Sequence, residues 1–543
     1  MAVSVTFLGG LGEIGRNCAA VEIDGQLILI DCGLMFPEED MLGVDLVLPD
    51  FSWIFDRVDD LVGVVLTHGH EDHMGALAYF LREANVPVYG TDLSVEFASS
   101  RIEEMDIDAE LVPVTPGEWV EVGRSIKFAL VRVAHSVPSA AGVVFDTPEG
   151  LIVHSGDFKL DPTPIDGIPT DLATFGGFGR RGVRLLLADS TNAERDGFTP
   201  SEASVGPPLR HLTAEASGRV IIACFASHVH RVQQAIYAVA ESGRKLAFMG
   251  RSMLRVTEIA ARMGALDIPE GLVLPLKEVI QLPEHQMAVI STGSQGEPFA
   301  ALSLLAQQKH KGLELHEGDT VIISATPIPG NETRVSRVIN NLVRKGIIVN
   351  HGRNAAVHVS GHAARDELRT FINVIDPVSF VPVHGEVRHL HANADLARSV
   401  GVEDVNVLED GDRIVLDGDE IRVERSVVAA GYVYIDGDIV GDVDEVLRDR
   451  RHLADDGVLI VTVGVDRENG EIVNGPHADS HGVSDETKDL HASVVEDVVE
   501  AIHELNLPVD PDALRQAIRR SAARSVKRRL SRRPVVFPVI IEI

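Results

Sequence analysis

Thr67-His68-Gly69-His70-Glu71-Asp72-His73 is the stretch on which the fold turns. It follows an apolar run, Leu61 to Leu66 (LVGVVL), that reads as a buried strand. It precedes Met74 to Asn85, where Met74, Leu77, Ala78 and Leu81 recur at the spacing of one helix face. Three histidines and an acid therefore occupy a tight turn at the C-terminal end of a strand, where α/β folds place their chemistry. His68 and His70, two apart, can face one metal; Asp72 and His73 turn the other way and can serve a second. Imidazole and carboxylate together suit Zn²⁺, with Mn²⁺ or Mg²⁺ as alternatives.

Upstream, Val3 to Leu8 and Leu27 to Ile30 read as strands, the second ending in Asp31. Asp31 fits equally a group that supports a metal ligand and a turn cap. Between them, Gly10, Gly12 and Gly15 form G-x-G-x-x-G. The residues that follow, Asn17 to Val21, read as a strand and not as the helix a pyrophosphate needs. This loop is expected to pack against the metal site. Downstream, Ile126 to Val133 ends in Ala134-His135-Ser136, and Leu151 to His154 ends in Ser155-Gly156-Asp157. Leu185 to Ala188 ends in Asp189. From about 204 to 357 the ligand pattern stops, and three apolar runs (from Val220, Met287 and Thr320) each end in small polar residues before a helix. That pattern reads as a doubly wound parallel sheet whose loops suit phosphate oxygens. Ala356 to His362 then reads as a strand and turn, and Val378 to Val383 as a strand ending in His384. His362 and His384 are thus expected at neighbouring strand ends.

A two-metal hydrolytic site needs about seven ligands with one group shared between ions about 3.5–4 Å apart. His68, His70 and His135 fit one ion, and Asp72, His73 and His384 the other, with Asp157 as the bridge. A hydroxide held between them is the expected nucleophile. Because residues 68–157 are completed near 384, the middle segment reads as an insertion. The expected domains are 1–203 and 358–435, split by 204–357, then a linker at 436–451 and a small α/β unit at 452–543.

With 543 residues the chain holds two to four domains. Its 45% apolar and 24% charged content is that of a soluble globular protein. Aromatic residues are 5%, so stacking platforms for bases are few. No apolar run is long enough to span a bilayer, and the first residues carry no secretory pattern. Cys18, Cys32 and Cys224 lie in apolar stretches and read as buried thiols of a cytoplasmic protein. The formal net charge of −33 argues against a nucleic-acid partner unless the cations are concentrated. Nine of them crowd the end of the chain, from Arg515 to Arg533, where a solvated helix face is the plain reading.

The set His68, His70, Asp72, His73, His135 and Asp157 resembles the metallo-β-lactamase superfamily. Asp189 in LLADSTNA, His362 in HVSGHA and His384 in PVHGE resemble the added motifs of its β-CASP nuclease branch. Together with GGLGEIGRN, STGSQGEP, TPIPGNE and the ending RRPVVFPVIIEI, they resemble the bacterial ribonuclease J family over essentially the whole chain. The resemblance implies an α/β protein. Its parts are a metallo-β-lactamase αββα sandwich, an inserted doubly wound β-CASP domain and a small α/β C-terminal domain. It implies two Zn²⁺ per chain and a 5′→3′ exonuclease that is also an endonuclease. It further implies RNA as partner, a homodimer or homotetramer involving the C-terminal domain, and a place in an RNA-degrading assembly. Asp72, His362 and Asp189 become the catalytic set, His362 contacting the scissile phosphate and Asp189 orienting His73 or His384. Ser227, His230, His358 and Ser360, with His362, would bind the nucleotide phosphates. A small-molecule hydrolase of the same superfamily is the alternative, and the segment 204–357 argues against it. A non-catalytic scaffold is a third reading, against which the intact ligand set stands.

Overall fold

The strand Val3–Gly9 is buried along its whole length, and so is Gln26–Ile30. Strands covered on both faces bury every position, Ser4 and Thr6 included, and these two lie inside a sandwich. The computed structural model describes residues 3–38, 40–297, 299–328, 330–437, 439–441, 444–466, 471–484, 487–505 and 510–543. One unit comprises residues 1–36 and 46–433, and a second comprises 37–45 and 434–543.

In the first unit an eight-stranded and a seven-stranded sheet share one apolar core, which includes Val5, Ile28, Phe128, Val143, Ile152 and Leu185. Val3–Gly9 lies between Arg413–Asp417 and Cys18–Ile23, so residues from both ends of the unit make one sheet. In the second sheet Val183–Asp189 pairs in parallel with Pro377–Val383, Asp189 opposite Val383. The helices Leu172–Arg181 and Arg365–Ile375 pack together beside this sheet, through Phe175 and Phe371. The chain between these paired strands forms a separate five-stranded sheet. Its order is Lys245–Met249, Met287–Ser291, Val220–Ala223, Thr320–Ile323, Ile348–His351, all parallel. It has its own core around Ile221, Val289, Leu302 and Val321. Its two outer strands were not read from the sequence; polar residues interrupt their apolar runs, Lys245 opening the first and Asn350 and His351 closing the second.

Three local readings need correction. Met74 to Asn85 is two helices, Glu71–Met74 and Leu77–Glu83. The Ala76 N–H donates to Cys32 O at 3.0 Å, which interrupts the helical ladder while Met74, Leu77, Ala78 and Leu81 all stay buried. Ala356 to His362 joins no sheet, so His362 sits in a loop and not at a strand end. Its Val357 carbonyl is taken by Ser324 Oγ at 2.5 Å and by Arg231 at 3.1 Å, leaving no ladder to form. The described residues of the expected linker at 436–451 carry regular structure, the strand Ile439–Gly441 and the start of the helix Asp444–Asp456, with Leu447 buried and Arg450 paired to Asp436.

The second unit carries a three-stranded sheet, Ile472–His481, Val458–Val465 and Val535–Glu542 in that order. Leu459, Val461, Val463 and Val536 point into a core with the helices Thr487–His503 and Pro511–Leu530. The alternate positions Ile460, Phe537, Val539 and Ile541 face outward and are 39%, 58%, 38% and 48% exposed. No helix among the described residues is long and apolar enough to cross a membrane.

Candidate metal centre

The strand Leu61–Val65 delivers Thr67, and the turn that follows delivers His68 and His70 before the one-turn helix Glu71–Met74 brings in Asp72 and His73. This turn runs beside residues 31–34. Cys32 N donates to His73 O, Leu34 N to Glu71 O, and Asn17 N to Asp72 O, at 2.7, 3.0 and 3.0 Å. The approach is so close that a Cβ on Gly33 would stand 1.7 Å from Asp72 O; only glycine fits. The glycine-rich loop thus backs the metal turn, and the strand Cys18–Ile23 follows it.

Asp157 is the centre. Its Oδ2 is buried without a hydrogen bond. Around that oxygen stand His73 Nε2 at 3.2 Å, His384 Nε2 at 3.5 Å, His68 Nε2 at 3.7 Å, His362 Nδ1 at 3.8 Å and His135 Nε2 at 3.9 Å. Two donor sets share it: His68, His70 and His135 on one side, Asp72, His73 and His384 on the other. His68 Nε2 and His135 Nε2 lie 3.0 and 3.3 Å from His70 Nδ1. An anionic oxygen stripped of water is costly unless something pairs with it. Lone pairs converging from both sides on such an oxygen fit a metal-binding site. The seven expected ligands are therefore brought together; a third overlapping set is Asp157, Asp189, His362 and His384.

The electrostatics agree. Burial, reinforced by neighbouring histidines, holds His68 and His135 well below the usual imidazole range. Burial takes His70 down to about 4, although Asp72 and Asp157 oppose it. Neutral imidazole is the ligating form. Burial works against a charged His73 too, but Asp157, Asp72 and Asp31 together push it well above its ordinary value. A position ringed by three carboxylates favours a cation, proton or metal.

The far nitrogens of His68, His70, His73 and His135 are fixed, as ligand imidazoles require, whereas His384 Nδ1 is buried without a hydrogen bond. His68 Nδ1 lies 3.0 Å from Thr67 Oγ1, His70 Nε2 3.1 Å from Ser136 Oγ, and His135 Nδ1 donates to Gly361 O at 2.9 Å. His73 Nδ1 meets Asp31 Oδ2 at 2.7 Å. Asp31 also accepts the Thr67 N–H and hydroxyl, each at 2.8 Å. It thus fills both roles its sequence position allowed, from a left-handed backbone at φ 61°. Asp189 does not orient His73 or His384, as the sequence reading had it. Its Oδ2 holds His362 Nδ1 at 2.8 Å, and its Oδ1 accepts Thr191 N and Oγ1. Burial disfavours a charged His362, but Asp189 and Asp157 raise it to about 9.

The expected phosphate-binding residues are only partly brought together. Ser360 Oγ accepts from Asn192 Nδ2 at 2.9 Å and from the His362 N–H at 3.2 Å. Ser227 precedes the helix Val229–Glu241 and is partly exposed. His358 Nδ1 accepts from Arg231 at 3.1 Å, and the ring facing it edge-on, 6.4 Å away, is His228. His230 turns elsewhere, its Nε2 3.9 Å from Asp166 Oδ2. Residue 228, not 230, is the imidazole at the helix start that reaches His358.

Sequence reasoning passed over several groups. Asn17 Nδ2 donates to Asp72 O at 3.1 Å and lies 3.2 Å from His73 Nε2. His154, three residues before Asp157 on a strand end, lines a small cavity with Asn17, Asp31 and His384, and burial takes it down to about 4. Arg231 is wholly buried and makes a two-pronged pair with Glu202 at 2.7 and 2.9 Å. It also reaches Ser324 O and Oγ, Val357 O and His358. The signal was there: an arginine within HVHRVQQAI, between Val229 and Val232 at the start of a helix.

Four family descriptions match along the chain. They are the metallo-beta-lactamase superfamily over residues 11–197 and the ribonuclease J beta-CASP domain over 217–342. They continue with a Zn-dependent metallo-hydrolase RNA specificity domain over 346–408 and the ribonuclease J C-terminal domain over 445–543. Ribonuclease J2 of Bacillus subtilis is 37% identical over 554 residues, covering 100% of this chain and 99% of the relative. Ribonuclease J of Mycobacterium tuberculosis is 40% identical over 544 residues, covering 99% and 97%. Ribonuclease J of Thermus thermophilus is 42% identical over 475 residues, covering 85% and 82%. A solved protein of unknown function from Enterococcus faecalis matches 77% of this chain and 100% of its own, with a TM-score of 0.54 at 18% identity; that likeness concerns the fold alone. Identity at this level over nearly full length, with a domain match for each part of the chain, leaves one conclusion: this protein is a member of the ribonuclease J family.

Proposed function

We propose that the chain is a zinc-dependent ribonuclease that degrades RNA 5′→3′ from 5′-monophosphate ends and also cuts internally. The observation that carries the reading is the pair of donor sets sharing Asp157, with the His362–Asp189 pair beside them. His68, His70, His135 and Asp157 would hold one ion, and Asp72, His73, His384 and Asp157 the other. When bound, the ions supply positive charge against phosphate oxygens and acidify a water molecule.

The protein's own groups do the rest. Asp31, Thr67, Ser136 and Gly361 fix the ligand rings, so the donors need not reorganise during reaction. Asp72, like His70, is partly exposed while the other five ligands are buried, and it would face the attacking water. Asp189 holds His362 through Nδ1, which leaves Nε2 to contact the scissile phosphate and hand a proton to the departing oxygen. Ser227, His358 and Ser360 would take the 5′-terminal phosphate. Arg231, behind them, is already spent on Glu202. A pocket of hydroxyls and imidazoles suits one phosphate group better than three. Three buried free thiols suit a reducing cytoplasm. The outward apolar row Ile460, Phe537, Val539 and Ile541 is the surface on which copies would pair into a dimer or tetramer, and through which the protein would join an RNA-degrading assembly.

Matched RNAs labelled at either end test this. The 5′-monophosphate form should release mononucleotides faster than the 5′-triphosphate form, while internal cleavage is indifferent to the end group. Equal release rates would remove the end pocket, and no RNA cleavage by metal-loaded protein would remove the whole reading.

A further inference from the structure

The helix Pro511–Leu530 is the most basic element of an acidic chain. From Pro511 to Arg533 there are nine cations and one acid, Asp512, in a protein of net charge −33. The helix buries Leu514, Ile518, Ala522 and Val526, and all nine cations are exposed. At 3.6 residues per turn, Arg519, Arg520, Arg524 and Lys527 fall within an arc of about 140° opposite that apolar stripe, along about 12 Å of axis. Three of the nine have acidic partners: Arg515 pairs with Asp512, and Arg528 and Arg529 share Asp497. Those in the middle do not: among the described residues Arg520 reaches the Gln516 side chain and Arg524 the Arg520 carbonyl. Arg519 and Lys527 have no acidic partner among the described residues.

A row of like charges left unpaired in a helix is destabilising by itself. A plain solvated face would pair its charges or mix their signs. The unmatched row calls for a polyanion, and elsewhere the surface of so acidic a chain repels one. We propose that the exposed face formed by Arg519, Arg520, Arg524 and Lys527 is a docking surface for the phosphate backbone of RNA, built from residues other than those that would hold the metals. This rests on the ribonuclease reading and adds to it a basis for favouring long RNA over short. Contacts of this kind position the strand and carry no base preference.

The test uses the full-length, metal-loaded protein and the variant Arg519→Gln/Arg520→Gln/Arg524→Gln/Lys527→Gln, glutamine keeping the helix propensity. Binding of a long single-stranded RNA is measured against salt, alongside cleavage of a 5′-monophosphate tetranucleotide. The variant should bind long RNA at least about tenfold more weakly at low salt. The slope of log affinity against log salt should fall by about 3, at about 0.7 per phosphate contact. Tetranucleotide cleavage should be unchanged. Lysine at the three arginine positions should restore long-RNA binding, because a backbone docking site needs charge and not a fork. Unchanged affinity for long RNA overturns the proposal. So does an equal loss on the tetranucleotide, or a loss that comes with a change of oligomeric state, which would assign the face to a second copy. Failure of the unaltered protein to cleave the tetranucleotide would instead count against the ribonuclease reading.

Discussion

Glu202→Ala is the most revealing single change outside the metal centre. The Glu202 carboxylate accepts both prongs of Arg231 and also Gln234 Nε2 at 2.9 Å, and both members of the pair are buried. Deleting it leaves a guanidinium with no counter-charge and unpaired N–H groups in the interior. Breaking a buried pair in this way costs about 3–5 kcal/mol. For a domain the size of the inserted one, each kcal/mol moves the melting temperature by about 2–4 °C. Calorimetry of the full chain should therefore show one transition falling by roughly 6–20 °C. The double variant Glu202→Met/Arg231→Met should recover most of that loss, since apolar replacement of a buried pair is often nearly neutral. It should not recover activity. Arg231 also holds Val357 O, and through the following residues the loop that carries Ser360 and His362. A displacement of about 1 Å at a reacting group can cost about 100-fold in rate. A single variant that melts within about 2 °C of the parent would refute the assignment of a buried, energetically dominant pair. A double variant with full activity would refute Arg231 as the residue that positions the loop.

Asp157→Ala should lose both metals and activity together, read by elemental analysis and RNA cleavage; two metals retained with full activity would contradict the bridge. His362→Ala should keep the metals and lose about 10²–10⁴ in rate, and Asp189→Asn should fall in the same direction with metals intact, because the two act as a unit. Acid should loosen the Arg231 junction. Burial alone would raise the Glu202 pKa, but Arg231 and His228 hold it well below its ordinary 4.5. A group depressed on folding adds stability above its unfolded value and loses it as pH falls through the folded value. Stability should thus drop as pH goes below about 4.5, and Glu202→Met/Arg231→Met should flatten that slope in acid melts. Phe537→Glu with Ile541→Glu should shift the protein to smaller mass in light scattering while leaving the metals bound; an unchanged mass would clear that sheet face of any role in assembly.

The histidine turn was legible because two periodicities meet there: a buried strand sets the direction, and a spacing of two sends His68 and His70 to one side. Asp157 was legible as the acid after a strand end with a flanking glycine. What orients what was not legible. Asp31 and Asp189 look alike in sequence, each ending a buried strand. Only the left-handed turn at Asp31 aims its carboxylate at His73, while Asp189 continues its strand line to His362. Ala356 to His362 alternates like a strand, but a serine and an arginine remote in sequence had already claimed its Val357 carbonyl. His228 and His230 could not be ranked by pattern, since either could face His358 from the start of a helix.

The pairing of Val3 with Leu416, and of Asp189 with Val383 across the insertion, also sets the order in which the molecule can be made. Contacts so distant in sequence form late, because the intervening chain must be ordered first. During synthesis the N-terminal strand waits as an open edge, a hazard for mispairing, while the inserted five-stranded sheet has its own core and can fold in the meantime. His384 is the last of the seven proposed ligands to be translated, 227 residues after Asp157. The donor set on its side of Asp157 is incomplete until the strand Pro377–Val383 has docked. A chain that stops short of that strand lacks His384 and presents only part of the donor cluster around Asp157.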